Sequence, residues 1–181
     1  MTPTETLKHE HKIIQLVLAG ARREGERVQS TGRMHVEKAQ KMVDFFSNFV
    51  DRCHHAKEEK HLFLMLEQRG MSARSGPIAV MVEEHRQGRR MIASIAKALP
   101  RAAAGHKSAL AAVGENLLSY VELLRQHIDK EDNVLYPMAD GVLTPEDQQA
   151  LAGAFEKVEA EEMGEGLHEK YHQLAHELEK G

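Results

Sequence analysis

At 181 residues, with 41% hydrophobic and 29% charged side chains, the chain has the size and balance of one globular domain with a real core. A formal net charge of −4, 4% aromatic residues and no long basic run argue against nucleic acid as a partner, and no apolar stretch approaches the roughly 18 residues of a membrane span. The single cysteine, Cys53, excludes an internal disulfide framework and, with no basic-then-apolar leader after Met1, predicts a cytoplasmic protein.

In chain order almost every segment carries helical periodicity, and the expectation is all-α: an up-down-up-down four-helix bundle over about residues 3–140, with a helical appendage over about 144–181. Thr2-Pro3-Thr4-Glu5 resembles a capping box with proline at the first helical position. The first helix then runs to about Gln29, with Leu7, His11, Ile14 and Leu18 on one face, and Ser30-Thr31-Gly32 ends it. A second spans about Met34 to Arg69, its apolar face carrying Val43, Phe46, Val50, Leu62 and Met65. Pro77 opens a third that continues to about Leu99, where Pro100 and Gly105 mark a turn. The fourth covers about His106 to Ala139, with Leu117, Tyr120 and Leu124 inward. A shorter helix follows Thr144-Pro145, and a last one runs from Leu167 to Lys180. The final two are read as packed on the bundle, within one domain.

Histidine is the compositional outlier, with 12 copies, and imidazole is the commonest protein metal ligand. An internal repeat gives the excess a pattern. His54-His55-Ala56-Lys57-Glu58 in the second helix recurs as His127-Ile128-Asp129-Lys130-Glu131 in the fourth, and Glu10-His11-Lys12 recurs as Glu84-His85-Arg86. Within each half the histidines are 43 (His11 to His54) and 42 (His85 to His127) positions apart. Residues four apart share a helix face, so His54 with Glu58 and His127 with Glu131 can converge, and both pairs continue apolar faces. Counting the helical rise from each turn brings the histidines of each hairpin to similar height. Taken singly, a His-x-x-x-Glu is an ordinary surface pair and an inward histidine an ordinary core residue. Six such residues, His11, His54, Glu58, His85, His127 and Glu131, meeting in one interior slab suit two metal ions bridged by carboxylates, because burying them unpartnered would cost several kcal/mol.

At these residues the chain resembles the hemerythrin-like proteins, in particular the bacterial branch with an HHE cation-binding domain. The resemblance covers roughly residues 5–140 and rests on Glu10-His11, the Cys53-to-Glu59 run, Gly76-Pro77-Ile78 leading to Glu84-His85, and His127-Ile128-Asp129-Lys130-Glu131. It implies a non-haem centre of two iron ions held by those six residues, with manganese or zinc as alternatives by ligand chemistry. It also implies a small ligand such as dioxygen, nitric oxide or peroxide, bound or sensed. Turnover of peroxide or nitric oxide, and an iron-handling module with an unidentified protein partner, are the alternatives. Two departures from the oxygen carriers stand out: Arg89 occupies the place of a second third-helix histidine, and Glu131 competes with Asp132 as the last carboxylate ligand. With one histidine fewer, a further open position is expected, which favours reactivity over simple carriage.

Among the rest, His55 and Glu59 are turned about 100° from the ligand face and are read as outer residues. His61 is assigned to packing or to support of a ligand, Tyr120 to packing, Cys53 to a buried, unreactive site, and His168, His172 and His176 to a packed or solvated stripe.

Overall fold

The computed structural model describes residues 1–164 and 166–179, without the side chains of residues 163, 167 and 168. Among the described residues six helices follow one another: α1 (Pro3–Thr31), α2 (36–68), α3 (Pro77–Ala103), α4 (107–142), α5 (145–163) and α6 (Leu167–Glu179). No strand occurs among the described residues, and no helix there is long and apolar enough to cross a membrane.

Local chemistry sets the boundaries. Thr2 and Glu5 form a reciprocal capping box at the start of α1, and Gly32, at φ 63°, closes its end. Gly76, at φ 75°, turns the chain into α3, which starts on Pro77. One boundary differs from the sequence expectation. Pro100 does not end α3; the helix runs three residues further, and the Ala104 amide bonds to the Pro100 carbonyl before Gly105 breaks away at φ 87°. Proline removes only its own donor, and so close to a helix end that loss is tolerated.

The two long helices that carry the His-x-x-Lys-Glu repeat are not uniformly α. In α2 the hydrogen bonding widens to π geometry over Phe46–His55 and again over Glu58–Leu62, and in α4 over Glu131–Leu135. The second and third of these stretches start at Glu58 and Glu131, equivalent positions of the internal repeat. Such wide turns concentrate at functional sites because each adds a residue and rotates the helix beyond it.

Helices α1 to α4 bury two apolar clusters at different heights. One joins Ile14, Val17, Phe46, Phe49, Ile95, Leu117 and Leu124; the other joins Leu7, Leu62, Leu66, Met81, Leu135 and Tyr136. Every bundle helix passes from one cluster to the other, and the six histidines and glutamates of the repeat lie between them. Helix α6 lies against α1 closely enough that a Cβ on Gly20 would stand 2.5 Å from the Leu178 carbonyl oxygen. Helix α5 is fastened by the Arg69–Asp147 pair, with bonds of 2.7 and 2.8 Å, and by Glu159, which accepts a 2.6 Å bond from Lys57.

Candidate metal centre

Helix periodicity brings one imidazole from each bundle helix, and one glutamate each from α2 and α4, to a single level. His11, His54, His85 and His127 are each 1% exposed, and Glu58 and Glu131 are fully buried. The four imidazoles form two facing pairs: His11 Nε2 is 3.0 Å from His54 Nε2, and His85 Nε2 is 3.0 Å from His127 Nε2. The glutamates reach across both pairs. Glu131 lies 3.3 Å from His11 Nε2 and 3.2 Å from His127 Nε2, and Glu58 lies 3.8 Å from His54 Nε2 and 3.4 Å from His85 Nε2.

Behind each ring stands a carboxylate. The Nδ1 atoms of His11, His54, His85 and His127 lie 2.8, 2.7, 2.6 and 2.9 Å from Asp132, Glu10, Glu59 and Glu84 respectively. Three of these carboxylates are themselves steadied by cations: Lys57 donates to Glu10, Lys130 to Glu84, and Arg89 to Glu59 at 2.7 Å. Burial alone would raise the Glu10 carboxyl, but His54 and Lys57 hold it down at about 2. Glu84 is likewise held low against its burial by His127 and Lys130. An ionised carboxylate only accepts, so the Nδ1 it contacts carries the proton and the Nε2 of that neutral ring presents a lone pair.

Two lone pairs aimed at each other across 3.0 Å need something positive between them. If no metal cation is there, a proton must serve. Burial opposes that proton on His127, yet Glu131 and Glu84 raise the group to about 9, while burial drives the facing His85 well down. The second pair behaves in the same way: burial takes His54 down to about 4, and Asp132 and Glu131 raise His11 despite burial. Glu58 Oε2 and both oxygens of Glu131 are buried without a hydrogen-bond partner. Orphaned acceptors beside inward-turned imidazole nitrogens are the donor set of a metal site, and the residues present fit one.

His55, assigned from the sequence to an outer position, is found inside. It is 4% exposed, its ring lies 3.7 Å from that of His85, and its donor atom falls within 4.8 Å of those of Glu58, His85 and His127. The remaining donors, from His11, His54 and Glu131, form a second such group. The π stretch of Phe46–His55 ends at this residue, and a face assigned from α-helical angles alone misses the rotation it introduces. Tyr136 is also more than its place in the repeat suggests. Its hydroxyl donates to Glu58 at 2.7 Å and stands 3.4 Å from His11 Nε2, with burial and the two glutamates keeping the phenol protonated. Its counterpart Phe63 has no hydroxyl, and that difference between the halves is the signal the sequence carries.

Each remaining candidate has a definite place. Asp132, the rival of Glu131, sits behind His11 with its side chain 28% exposed, whereas Glu131 points between the pairs. Glu59 supports His85 from the rim. Tyr120 packs on Phe46, with ring centroids 4.7 Å apart, and Cys53 is buried, its thiol pushed up to about 12 by that burial. His172 faces His9 and Phe49, His176 is exposed beside Glu179, and the His168 side chain lies outside the described residues.

The profile of the hemerythrin HHE cation-binding domain matches residues 2–139. The chain belongs to the hemerythrin HHE family. Uncharacterized proteins of Mycobacterium bovis and Mycobacterium tuberculosis are 24% identical to it over 165 residues, covering 91% of this chain and 64% of theirs. The chain therefore spans slightly less than two thirds of the length of these relatives. No solved structure matches it.

Proposed function

We propose that the chain holds two iron ions with His11, His54, Glu58, His85, His127 and Glu131, and there binds or senses a small ligand such as dioxygen, nitric oxide or peroxide. The observation that carries this reading is the facing pairs of imidazole nitrogens, each backed by a carboxylate and flanked by partnerless glutamate oxygens. Two pairs provide two ion positions, and the two glutamates are placed to serve both. Imidazole nitrogen with carboxylate oxygen suits iron, manganese or zinc, and the family favours iron. When bound, such ions supply positions at which a small ligand can coordinate. The protein's own share is to hold a proton on each Nδ1 and so turn each Nε2 inward, to fix the rings and to exclude bulk water. The reduced, unpaired Cys53 fits a cytoplasmic setting.

Metal analysis of freshly purified protein, with anaerobic and aerobic absorption spectra, tests the proposal. Two iron ions per chain and bands that change on adding nitric oxide or azide are expected. Two zinc ions and a featureless, unresponsive spectrum would refute it.

A further inference from the structure

Helix α5 lies beyond residue 139, where the family profile stops, yet it reaches the support of the centre. The Nδ1 proton of His54 rests on one oxygen of Glu10 at 2.7 Å, the other oxygen accepts from Lys57, and Lys57 donates again to Glu159 of α5 at 2.6 Å. Glu10 and Lys57 are buried, so water has no access to replace either partner. Only the last carboxylate of the succession, on α5, comes partly to the surface.

Two further observations set this succession apart. Its counterpart stops short: Lys130, equivalent to Lys57 in the repeat, bonds to Glu84, which backs His127, and keeps its far side in water. The wide turn that ends α5, Glu159–Met163, begins on Glu159, as those of α2 and α4 begin on Glu58 and Glu131. In that turn Glu162 lies 3.2 Å from Arg52 and 3.6 Å from Lys60, which flank Lys57 in α2. The end of α5 is thus pinned to the segment of α2 that carries His54 and Glu58.

We infer that Glu159 is a positioning residue of the centre: from the C-terminal appendage it acts through Lys57 and Glu10 to fix the imidazole of His54, and filling the centre tightens the appendage in return. Without Glu159, Lys57 has one carboxylate to hold it, and Glu10 loses the fixed cation that sets its angle towards His54. The effect runs both ways, because a contact that favours the metal-binding pose of the ring is favoured by the metal to the same extent. The return effect rests on the two-ion reading; the hold on His54 does not.

The test uses the full chain with Glu159→Ala and, as control, Glu162→Ala, which loosens the same turn without removing a partner of Lys57. In metal-free protein carrying isotope-labelled histidine, NMR follows exchange of the Nδ1 proton with water at His54 and at His127. Glu159→Ala should speed exchange at His54 about tenfold, as for one weakened hydrogen bond, and leave His127 as in the parent. Glu159→Gln, which still offers Lys57 an acceptor, should recover part of the change, and Glu162→Ala should leave both rings unaltered. Equal acceleration at both rings, which general loosening would give, or none at His54, overturns the inference. In the iron-loaded chain, Glu159→Ala should release iron to a chelator about tenfold faster than the parent, the size expected when the support of a metal-binding histidine is disturbed. Iron should also slow amide exchange in the Glu159–Met163 turn of the parent more than in the variant. Iron release and amide protection equal to the parent's overturn the return effect. A parent chain that takes up no iron defeats the two-ion reading instead, and proton exchange at His54 then still decides for or against Glu159.

Discussion

Lys57 is the most exacting place to challenge this account. Its ammonium is fully buried between Glu10 and Glu159, with the Phe155 ring 5.8 Å away, and Glu10 in turn orients His54. Lys57→Met keeps the length and apolar stem but leaves Glu10 a buried carboxylate without its cation. Breaking one side of a buried ion pair costs about 3–5 kcal/mol, because the remaining charge stays unsolvated. For a chain of this length each kcal/mol moves the Tm by roughly 2–4 °C, so the metal-free variant should melt roughly 6–20 °C lower. The repeat supplies its own control. Lys130 makes the same contact to Glu84, but its side chain is 38% exposed and Glu84's 14%, so water compensates for its loss. Lys130→Met should cost no more than about 1 kcal/mol. Thermal and urea unfolding of the two metal-free variants decide the matter. Equal losses, or a Lys57→Met loss below about 1 kcal/mol, would refute the claim that burial separates the two halves.

Three further outcomes are expected. Removing bound ions with a chelator should lower the Tm by roughly 8–16 °C, since a ligand held at a thousand times its Kd contributes about 4 kcal/mol; calorimetry before and after chelation measures it. In the metal-free protein the Glu10 carboxyl lies near 2, against 4.5 for the free group, so its contribution, about 3 kcal/mol, is complete above pH 4.5 and fades as pH falls towards 2. Glu10→Gln should flatten the fall in urea-measured stability between pH 6 and pH 3. Gly20→Ala, whose new methyl group would meet the Leu178 carbonyl, should destabilise by about 1–3 kcal/mol, whereas Gly153→Ala, in open space within α5, should stabilise by up to about 1 kcal/mol in the same unfolding assay.

The fold and most of the site are legible in the sequence because both are periodic. Apolar faces define the four bundle helices, and the duplicated His-x-x-Lys-Glu places His54, Glu58, His127 and Glu131 on inward surfaces. Counting along each hairpin is enough to bring His11 and His85 to the same level. The supporting carboxylates are partly visible: Glu10 and Glu84 stand beside His11 and His85 in the chain, but each turns to the histidine of the neighbouring helix, a choice that depends on how helices pack. His55 and Tyr136 are hidden for another reason. One lies at the end of a wide turn and the other just beyond one, and such turns leave no mark in a periodicity of 3.6 residues.

Those wide turns bear on how the chain can be altered. Each holds one residue more than an ordinary turn, so the helix beyond it is set about 100° from where an uninterrupted α-helix would put it. Deleting a single position such as Asn133 would let α4 relax into regular geometry and swing Tyr136, with the rest of that helix, away from Glu58. The same deletion near Lys60 would carry Phe63 off its seat beside His85. Helix lengths on either side of these turns are therefore locked to the candidate centre: an outward-facing residue such as Asn133 can be exchanged there, but not lost.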